Sequence, residues 1–388
     1  MTPTILAILA ALPSLIWISR HFRISRERKH GFVLTPEYAG PPSPRPKISV
    51  IVAAKEEEEN IRSCLETLAA QDYGDFEIIA VNDRSTDATG KIIDDFAAAH
   101  PNVKAVHIKN LPDGWKGKNH AIHTAIPQAT GEYFLFTDAD CKMTSSRTLS
   151  VAMQLLKDHN VGMLSVLPNL DTKSFWEDVI QPVCSAVLML WFEPAKVNNP
   201  KKAVAYANGA FMLVSRHAYD IIGGHAAIKN DIQEDMTMAR HIKENHQGLF
   251  VTRNSGLYSV RMYRSLPEII NGWTRIFYGS FRKLTRVLTT MFLLTFASVL
   301  PPAMVIIALL AYLGDPTHWL PCVITALAST SLEISVIYRY HKICGANKYL
   351  ACMYPIGCLI LDYILIRSSL KHRRGATIAW KNTSYTQK

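Results

Sequence analysis

The sequence predicts an α/β domain, with a sheet built largely from parallel strands, set between apolar membrane segments. Three observations carry that expectation. From residue 48 to 141, short apolar runs alternate with stretches of helical length. The run GEYFLFTDADC (131–141) ends in two carboxylates, Asp138 and Asp140, where open α/β sheets bind ligands. And in this 388-residue chain, 48% hydrophobic with mean hydropathy +0.06, the apolar residues gather at 5–18 and after 287.

The first segment, residues 1–19, is apolar through Ile5–Ile18, and five basic residues (Arg20, Arg23, Arg26, Arg28, Lys29) follow it. A cleaved secretory signal carries its positive charge before the apolar core, so this segment reads as a retained anchor with the chain continuing in the cytoplasm. Residues 20–46 form a basic, proline-rich linker, with five prolines between 35 and 46.

The domain spans 47–264. Strands are expected at Ile48–Ala53, Phe76–Val81, Val103–Ile108 and Tyr133–Phe136, with helices over 57–70, from Asp87, and over 117–127. Further strands are expected at 161–166, 203–207, 210–214, 248–252 and 257–263, with helices at 174–192 and 233–246. Neither G-x-G-x-x-G after the first strand nor a P-loop is present, which argues against a dinucleotide dehydrogenase and a P-loop nucleotidase.

Residues 265–286 repeat Leu266, Ile269, Ile270, Trp273, Ile276, Phe277, Phe281 and Leu284 at three- and four-residue steps. Cations Arg282 and Lys283 stand at the end, the pattern of an amphipathic helix in the membrane interface. Three apolar segments follow, 288–313, 319–338 and 349–367, with Pro301-Pro302 expected to kink the first and Asp362 inside the last. Three crossings would leave the tail (368–388) outside, yet it begins Lys371, His372, Arg373, Arg374, which the positive-inside rule holds in the cytoplasm; one segment is therefore expected not to cross.

The net charge of +10 sits largely beside these segments, favouring anionic lipid heads; no zinc-finger spacing or ribonucleoprotein motif is present, and no nucleic-acid partner is expected. Seven cysteines without a C-x-x-C pair suit a reducing compartment.

Several clusters fall at the sheet's ligand edge. Ala53 through Glu57 follow the first strand, and Asn82-Asp83 end the second, where an acid can accept from a base N–H or cap the next helix. Asp113-Gly114-Trp115-Lys116-Gly117-Lys118-Asn119 sets cations and glycines at a helix start, an anion site or a solvated loop. Positions two apart in extended chain face one way, so Asp138 and Asp140 can share an ion, or else cap and turn. Asn208-Gly209 allows close backbone approach. In Gln233-Glu234-Asp235 the helix dipole keeps a carboxylate ionised for proton acceptance, or forms a plain charged first turn. Trp273 and Arg275 offer a platform for a sugar or a phosphate, or anchor the helix in the membrane. The histidines form no convincing metal set.

Together these residues resemble family 2 glycosyltransferases of the GT-A fold, over about residues 47–280. ISVIVAAKEEEENI (48–61) is similar to the family's opening strand and acid-bearing turn, with Glu56 where Asn is usual. VNDRSTDAT (81–89) resembles the base-contacting segment, through Asp83, with Asn82 replacing the preceding acid. GWKGKNHA (114–121) looks like the phosphate-side motif, TDAD (137–140) like the metal-binding pair, and QED (233–235) like the motif holding the catalytic base. The flanking segments, GWKGKN and WKNTSY (380–385) resemble membrane-bound members acting on lipids, such as hopanoid- or carotenoid-associated enzymes.

The resemblance implies a mixed Rossmann-like sheet with one amino-terminal and two or three carboxy-terminal transmembrane helices. It implies an inverting transfer from a nucleotide-diphosphate sugar, UDP-linked by expectation, to a hydroxyl or carboxyl of a lipid. Ala53, Glu57, Asp83, Lys118 and Asp138 would bind the donor, Asp138 and Asp140 would hold Mg²⁺ or Mn²⁺, and Asp235 with Glu234 would supply the base. Trp273, Arg275, Asn208 and Gly209 would line the acceptor and diphosphate side. The expected location is the inner cell membrane, multi-pass, with the catalytic domain in the cytoplasm. The region EIINGWTR (268–275) lacks the Q-x-x-R-W of processive synthases. A processive polymerase and a non-catalytic scaffold remain the alternatives.

Overall fold

A computed structural model of the chain describes residues 2–281 and 283–371, together with the backbone of 377–380 and 383–386. Arg282, the tail residues His372, Arg373 and Arg374, and part of WKNTSY lie outside the described residues. The chain divides into a globular unit (32–171 and 189–262) and a helical unit (1–31, 172–188 and 263–388).

It begins with α1 (Pro3–His30), which runs on through the basic residues expected to start a linker. The globular unit follows with β1 (Val33–Leu34), β2 (Ile48–Ala54), α2 (Ile61–Ala69), β3 (Phe76–Asp83), α3 (Thr89–Ala99), β4 (Val103–Ile108), α4 (Gly117–Ala125), β5 (Tyr133–Asp138), β6 (Cys141–Met143), α5 (Thr148–Asp158), β7 (Met163–Leu167) and β8 (Asn169–Leu170). After α6 (Phe175–Trp191) come α7 (Pro194–Val197), β9 (Met212–Ser215), α8 (Arg216–Ile221), α9 (Gly224–Ala227), α10 (Glu234–Glu244), β10 (Leu249–Asn254) and β11 (Tyr258–Val260). The expected strand at 203–207 is irregular chain; it bends toward Asn208, whose N–H is taken by the Ser165 hydroxyl at 2.9 Å instead of a ladder partner.

The main sheet has the order β1-β10-β7-β9-β5-β2-β3-β4. All neighbours are parallel except β9, which runs antiparallel to both β7 and β5. The mixed sheet is therefore the α/β architecture expected, with one reversed strand placed next to the acidic one. β2, β3 and β5 read as near-continuous apolar runs because helices cover both faces, and Val50, Ile51, Ile78, Ile79, Phe134 and Leu135 are fully buried. Ala53 sits opposite both Val81 and Asp138, so the ends of β3 and β5 flank β2 at one edge.

In the helical unit, α11 (Leu266–Ser280) is followed by α12 (Leu284–Leu294), α13 (Leu300–Tyr312), α14 (Pro316–Cys344) and α15 (Tyr354–Leu370), and the strands β12 (Thr377–Trp380) and β13 (Thr383–Thr386) close the chain. A π-helical segment, Thr295–Val299, joins α12 to α13 just before Pro301, whose missing N–H and ring disturb the helical ladder there. Trp17 of α1 donates to Ala297 O in that segment at 2.8 Å, and Ser14 meets Ser329 of α14 at 2.9 Å. The amphipathic helix ends at Ser280, short of the expected 286. Its apolar face is buried (Ile269, Trp273, Phe277), and Asn271 accepts from Arg367 of α15 at 3.1 Å.

Among the described residues, five helices are long and apolar enough to cross a membrane: 3–29, 175–197, 284–312, 316–344 and 348–370. The second of these, built on α6, cannot be a crossing. The chain before it supplies β5 and β7, and the chain after it supplies β9, which hydrogen-bonds to both; one crossing would put paired strands on opposite sides of the bilayer. Asp362, singled out in the last apolar segment, is buried and accepts from Thr295 Oγ1 at 3.0 Å. Glu333 on α14 went unnoticed in the sequence; it is 1% exposed, and neither carboxylate oxygen has a hydrogen-bond partner, although the Ser298 hydroxyl faces it.

Candidate functional site

The site forms where β5 ends. Asp138 is the last residue of that strand, and the chain then turns through Ala139-Asp140 into β6. The expectation that both acids share one side of extended chain is thus corrected: a turn, not a strand, carries Asp140. They remain close enough for each charge to act on the other. Burial, then the negative charges of Asp138 and Glu57, push the Asp140 carboxyl up to about 8. Asp138 is held in place through its backbone and neighbours. The Cys64 thiol lies 3.7 Å from its carbonyl, and Thr137 Oγ1 donates to Ala210 O at 2.8 Å.

Lys118, second residue of α4, reaches this edge. Its Nζ lies 2.6 Å from Asp138 Oδ1 and 2.6 Å from Glu234 Oε1. Burial alone would lower its proton affinity, but the two carboxylates outweigh burial and raise it. α4 is aimed by Asn119, whose Nδ2 donates to Ile228 O at 2.8 Å and Asp231 O at 3.0 Å, the segment that leads into α10.

Glu234 and Asp235 open α10. Asp235 Oδ2 accepts from Gly209 N at 3.0 Å, and its Oδ1 from Met236 N at 2.7 Å. A Cβ added at Gly209 would stand 3.1 Å from Lys118 Nζ, 3.5 Å from Glu234 Oε1 and 3.6 Å from Asp235 Oδ2, so a side chain there would crowd three charged groups. Burial and then the Glu234 charge raise the Asp235 carboxyl to about 7, against the lowering effects of Lys118 and the two N–H donors. Beneath, His225 is fully buried and bonded to Tyr219 Oη at 2.9 Å; burial, reinforced by the Lys118 charge, pushes it down to about 3, so it stays neutral.

The structure therefore brings together Lys118, Asp138, Asp140, Glu57, Gly209, Glu234 and Asp235, with Asn208 beside them. Asn208 Oδ1 accepts from Ala210 N at 3.0 Å, which shapes the turn carrying Gly209. Asp83 ends β3 and is 1% exposed; its carboxylate is taken by Arg84 at 2.7 and 3.1 Å. Arg84 itself holds φ +57°, and Glu56, at φ +51°, accepts from Thr86 N and Oγ1, tying the two edge loops together. Asn82 accepts from Ser85 N and so caps its own turn. Trp273 and Arg275 belong to the helical unit. Trp273 is 3% exposed, its ring turned inward beside Phe277. Ser165, Thr137 and Tyr206, which position the Asn208-Gly209 turn, were not legible in the sequence, because a hydroxyl in a strand or loop gives no periodic or spacing signal.

Among the described residues, no group of three or more His, Cys, Asp and Glu side chains could hold a metal. The donor set still suits a hard divalent ion, because Asp138 and Asp140 supply one or two carboxylates and phosphate oxygens complete such shells. Burial and then the neighbouring carboxylate charges raise Asp140, and a bound cation would offset both.

This is the GT-A arrangement of an α/β sheet with acidic, cationic and basic groups at one edge, and the chain is a glycosyltransferase. Residues 49–223 match the family model described as glycosyl transferase family 2, so the chain carries a family 2 domain. It is 23% identical over 345 residues to the 4,4'-diaponeurosporenoate glycosyltransferase of Staphylococcus aureus (strain USA300), covering 87% of this chain and 88% of that protein. Among solved structures, it is similar to the mannosyltransferase PcManGT from Pyrobaculum calidifontis in complex with GDP-Man and Mn²⁺. That match has TM-score 0.54 and 20% identity, and covers 94% of this chain and 98% of that one.

Proposed function

We propose that this protein moves a sugar from a nucleotide-diphosphate sugar to the hydroxyl of an apolar membrane lipid, with inversion at the anomeric carbon. The observation that carries the reading is Asp235, positioned by Gly209 N–H, raised to about 7, and joined through Glu234 and Lys118 to Asp138. A base poised near neutrality is what proton removal from a hydroxyl requires. Asp235 takes that proton as the acceptor oxygen attacks, and Gly209 N–H holds the carboxylate in one rotamer. Lys118 offers its charge to the departing diphosphate. Asp138 and Asp140 would hold Mg²⁺ or Mn²⁺, which when bound neutralises charge on the leaving diphosphate. Asp83, at the end of β3 and paired with Arg84, would read the nucleotide, with uridine as the expected base, once Arg84 yields its carboxylate.

The candidate crossings support a membrane acceptor, and Arg20, Arg23, Arg26, Arg28 and Lys29 near the end of α1 support a globular unit in the cytoplasm. A second reading, transfer to a lipid carboxyl, is favoured by the diaponeurosporenoate in the relative's name.

Membranes bearing the protein, incubated with a panel of labelled UDP- and GDP-sugars, should yield one labelled lipid that survives mild alkali. An alkali-labile ester would establish the carboxyl acceptor, a long polymer would establish a processive synthase, and silence with every donor would leave a scaffold. Asp235→Asn should lower transfer by about three orders of magnitude with donor binding retained; full activity would remove Asp235 as base. Excess chelator should stop turnover, and an unchanged rate would remove the metal.

A further inference from the structure

We propose that Lys118 is the site's internal counter-ion, and that it makes the divalent ion load together with the nucleotide diphosphate instead of ahead of it. The inference rests on the assignment of Asp138 and Asp140 to a metal ion and gives that site a binding order.

Lys118 Nζ stands 2.6 Å from one carboxylate on each side, Asp138 Oδ1 and Glu234 Oε1. Its side chain is 17% exposed, and the Gly209 backbone closes a third side, since a Cβ there would come within 3.1 Å of Nζ. The ammonium is thus seated on an oxygen that a metal ion would claim. A bare divalent cation approaching Asp138 meets a like charge that cannot retreat into solvent without leaving Glu234 as well, and like charges at such range in a half-buried site oppose binding. A nucleoside diphosphate changes the balance. Its phosphates give Lys118 a new anionic partner, which frees Asp138 Oδ1 for the ion and brings further oxygens to complete the ion's shell. The same transfer loosens Lys118 from Glu234, next to Asp235, so the charge around the base changes when the donor arrives. Lys118 is in this sense a positioning residue that couples three events through one ammonium.

The test measures Mn²⁺ binding to the full-length protein in detergent by the electron paramagnetic resonance of free Mn²⁺, alone and with UDP or GDP. The wild type should bind Mn²⁺ weakly alone and more tightly with the nucleotide. Lys118→Met should bind Mn²⁺ alone on the order of tenfold more tightly, as expected for removal of one adjacent unit charge, and should bind the nucleotide less tightly. Lys118→Arg, which keeps the charge, should return Mn²⁺ binding toward the wild-type pattern. A damaged fold weakens both affinities, so a gain in one with a loss in the other cannot come from misfolding. Mn²⁺ binding in Lys118→Met no tighter than in the wild type, while the wild type binds Mn²⁺ with nucleotide, would overturn the inference and leave the metal assignment standing. Absence of Mn²⁺ binding by the wild type even with nucleotide would overturn the metal assignment and the inference with it.

Discussion

The two units each hold a buried glutamate, and they surround it differently. In the globular unit, four of the acids at or beside the site have named partners: Asp138 and Glu234 share Lys118, Asp235 accepts two N–H groups, and Asp83 is covered by Arg84. Deeper in the same unit, Glu77 is 5% exposed and accepts from Lys104, Ser49 and Thr130. In the helical unit, Glu333 is as buried, and among the described residues only the Ser298 hydroxyl faces it. The cost of a buried carboxylate is set by what surrounds it, and partners turn the same group from a liability into a tool. Where the globular unit places donors, its acids gain proton affinities suited to chemistry; the helical unit is held by apolar packing and by hydrogen bonds between residues far apart in sequence, such as Trp17 to Ala297.

With the Asp235 carboxyl raised to about 7, its proton-accepting form grows as pH rises through that value. The rate of transfer at limiting donor should therefore climb about tenfold between roughly pH 6 and pH 8 and then level. A flat profile would mean that Asp235 is not the base or that the acceptor arrives already ionised.

Glu77 tests the structural use of the same physics. Burial raises its carboxyl, but the bonds from Lys104, Thr130 and Ser49 together outweigh burial and bring it to about 2. Because the folded value lies below the unfolded one, near 4.5, the stabilisation is complete above the unfolded value and lost as pH falls toward about 2. Glu77→Gln should cost about 1 kcal/mol at neutral pH, read by chemical unfolding of the globular unit, and much less near pH 3.

The smallest effect is expected at Glu333. Glu333→Leu should leave stability unchanged or raise it by up to about 1 kcal/mol in a thermal unfolding measurement in detergent, since it removes a buried acid faced only by the Ser298 hydroxyl. Loss of transfer with stability kept would show that the helical unit does more than hold the enzyme at the bilayer.

Much of this was legible in the chain. β2, β3, β4 and β5 could be placed because buried strands of a parallel sheet are short, apolar and separated by helix-length stretches. The motif acids could be placed because strand ends define a ligand edge. The reversed strand β9 was not legible, since an apolar run has no direction. Nor was the fate of α6, whose composition is that of a crossing and whose exclusion as one follows from strand pairing on either side of it. Glu333 was hidden for a related reason: a single acid in a long apolar helix gives no sign of which face it occupies.

By itself, then, the sequence determined the α/β class, the apolar segments, and the identity and order of the groups at the edge, because these depend on local periodicity and on which atoms each side chain carries. What Lys118 does was decided only by the tertiary structure. Residue 118, residue 138, residue 209 and the pair 234–235 lie on separate elements, and only sheet order and helix placement set one ammonium 2.6 Å from two carboxylates, beside a glycine that leaves it room. Proton affinity and ion pairing fall off over a few ångströms, a scale that sequence spacing does not encode.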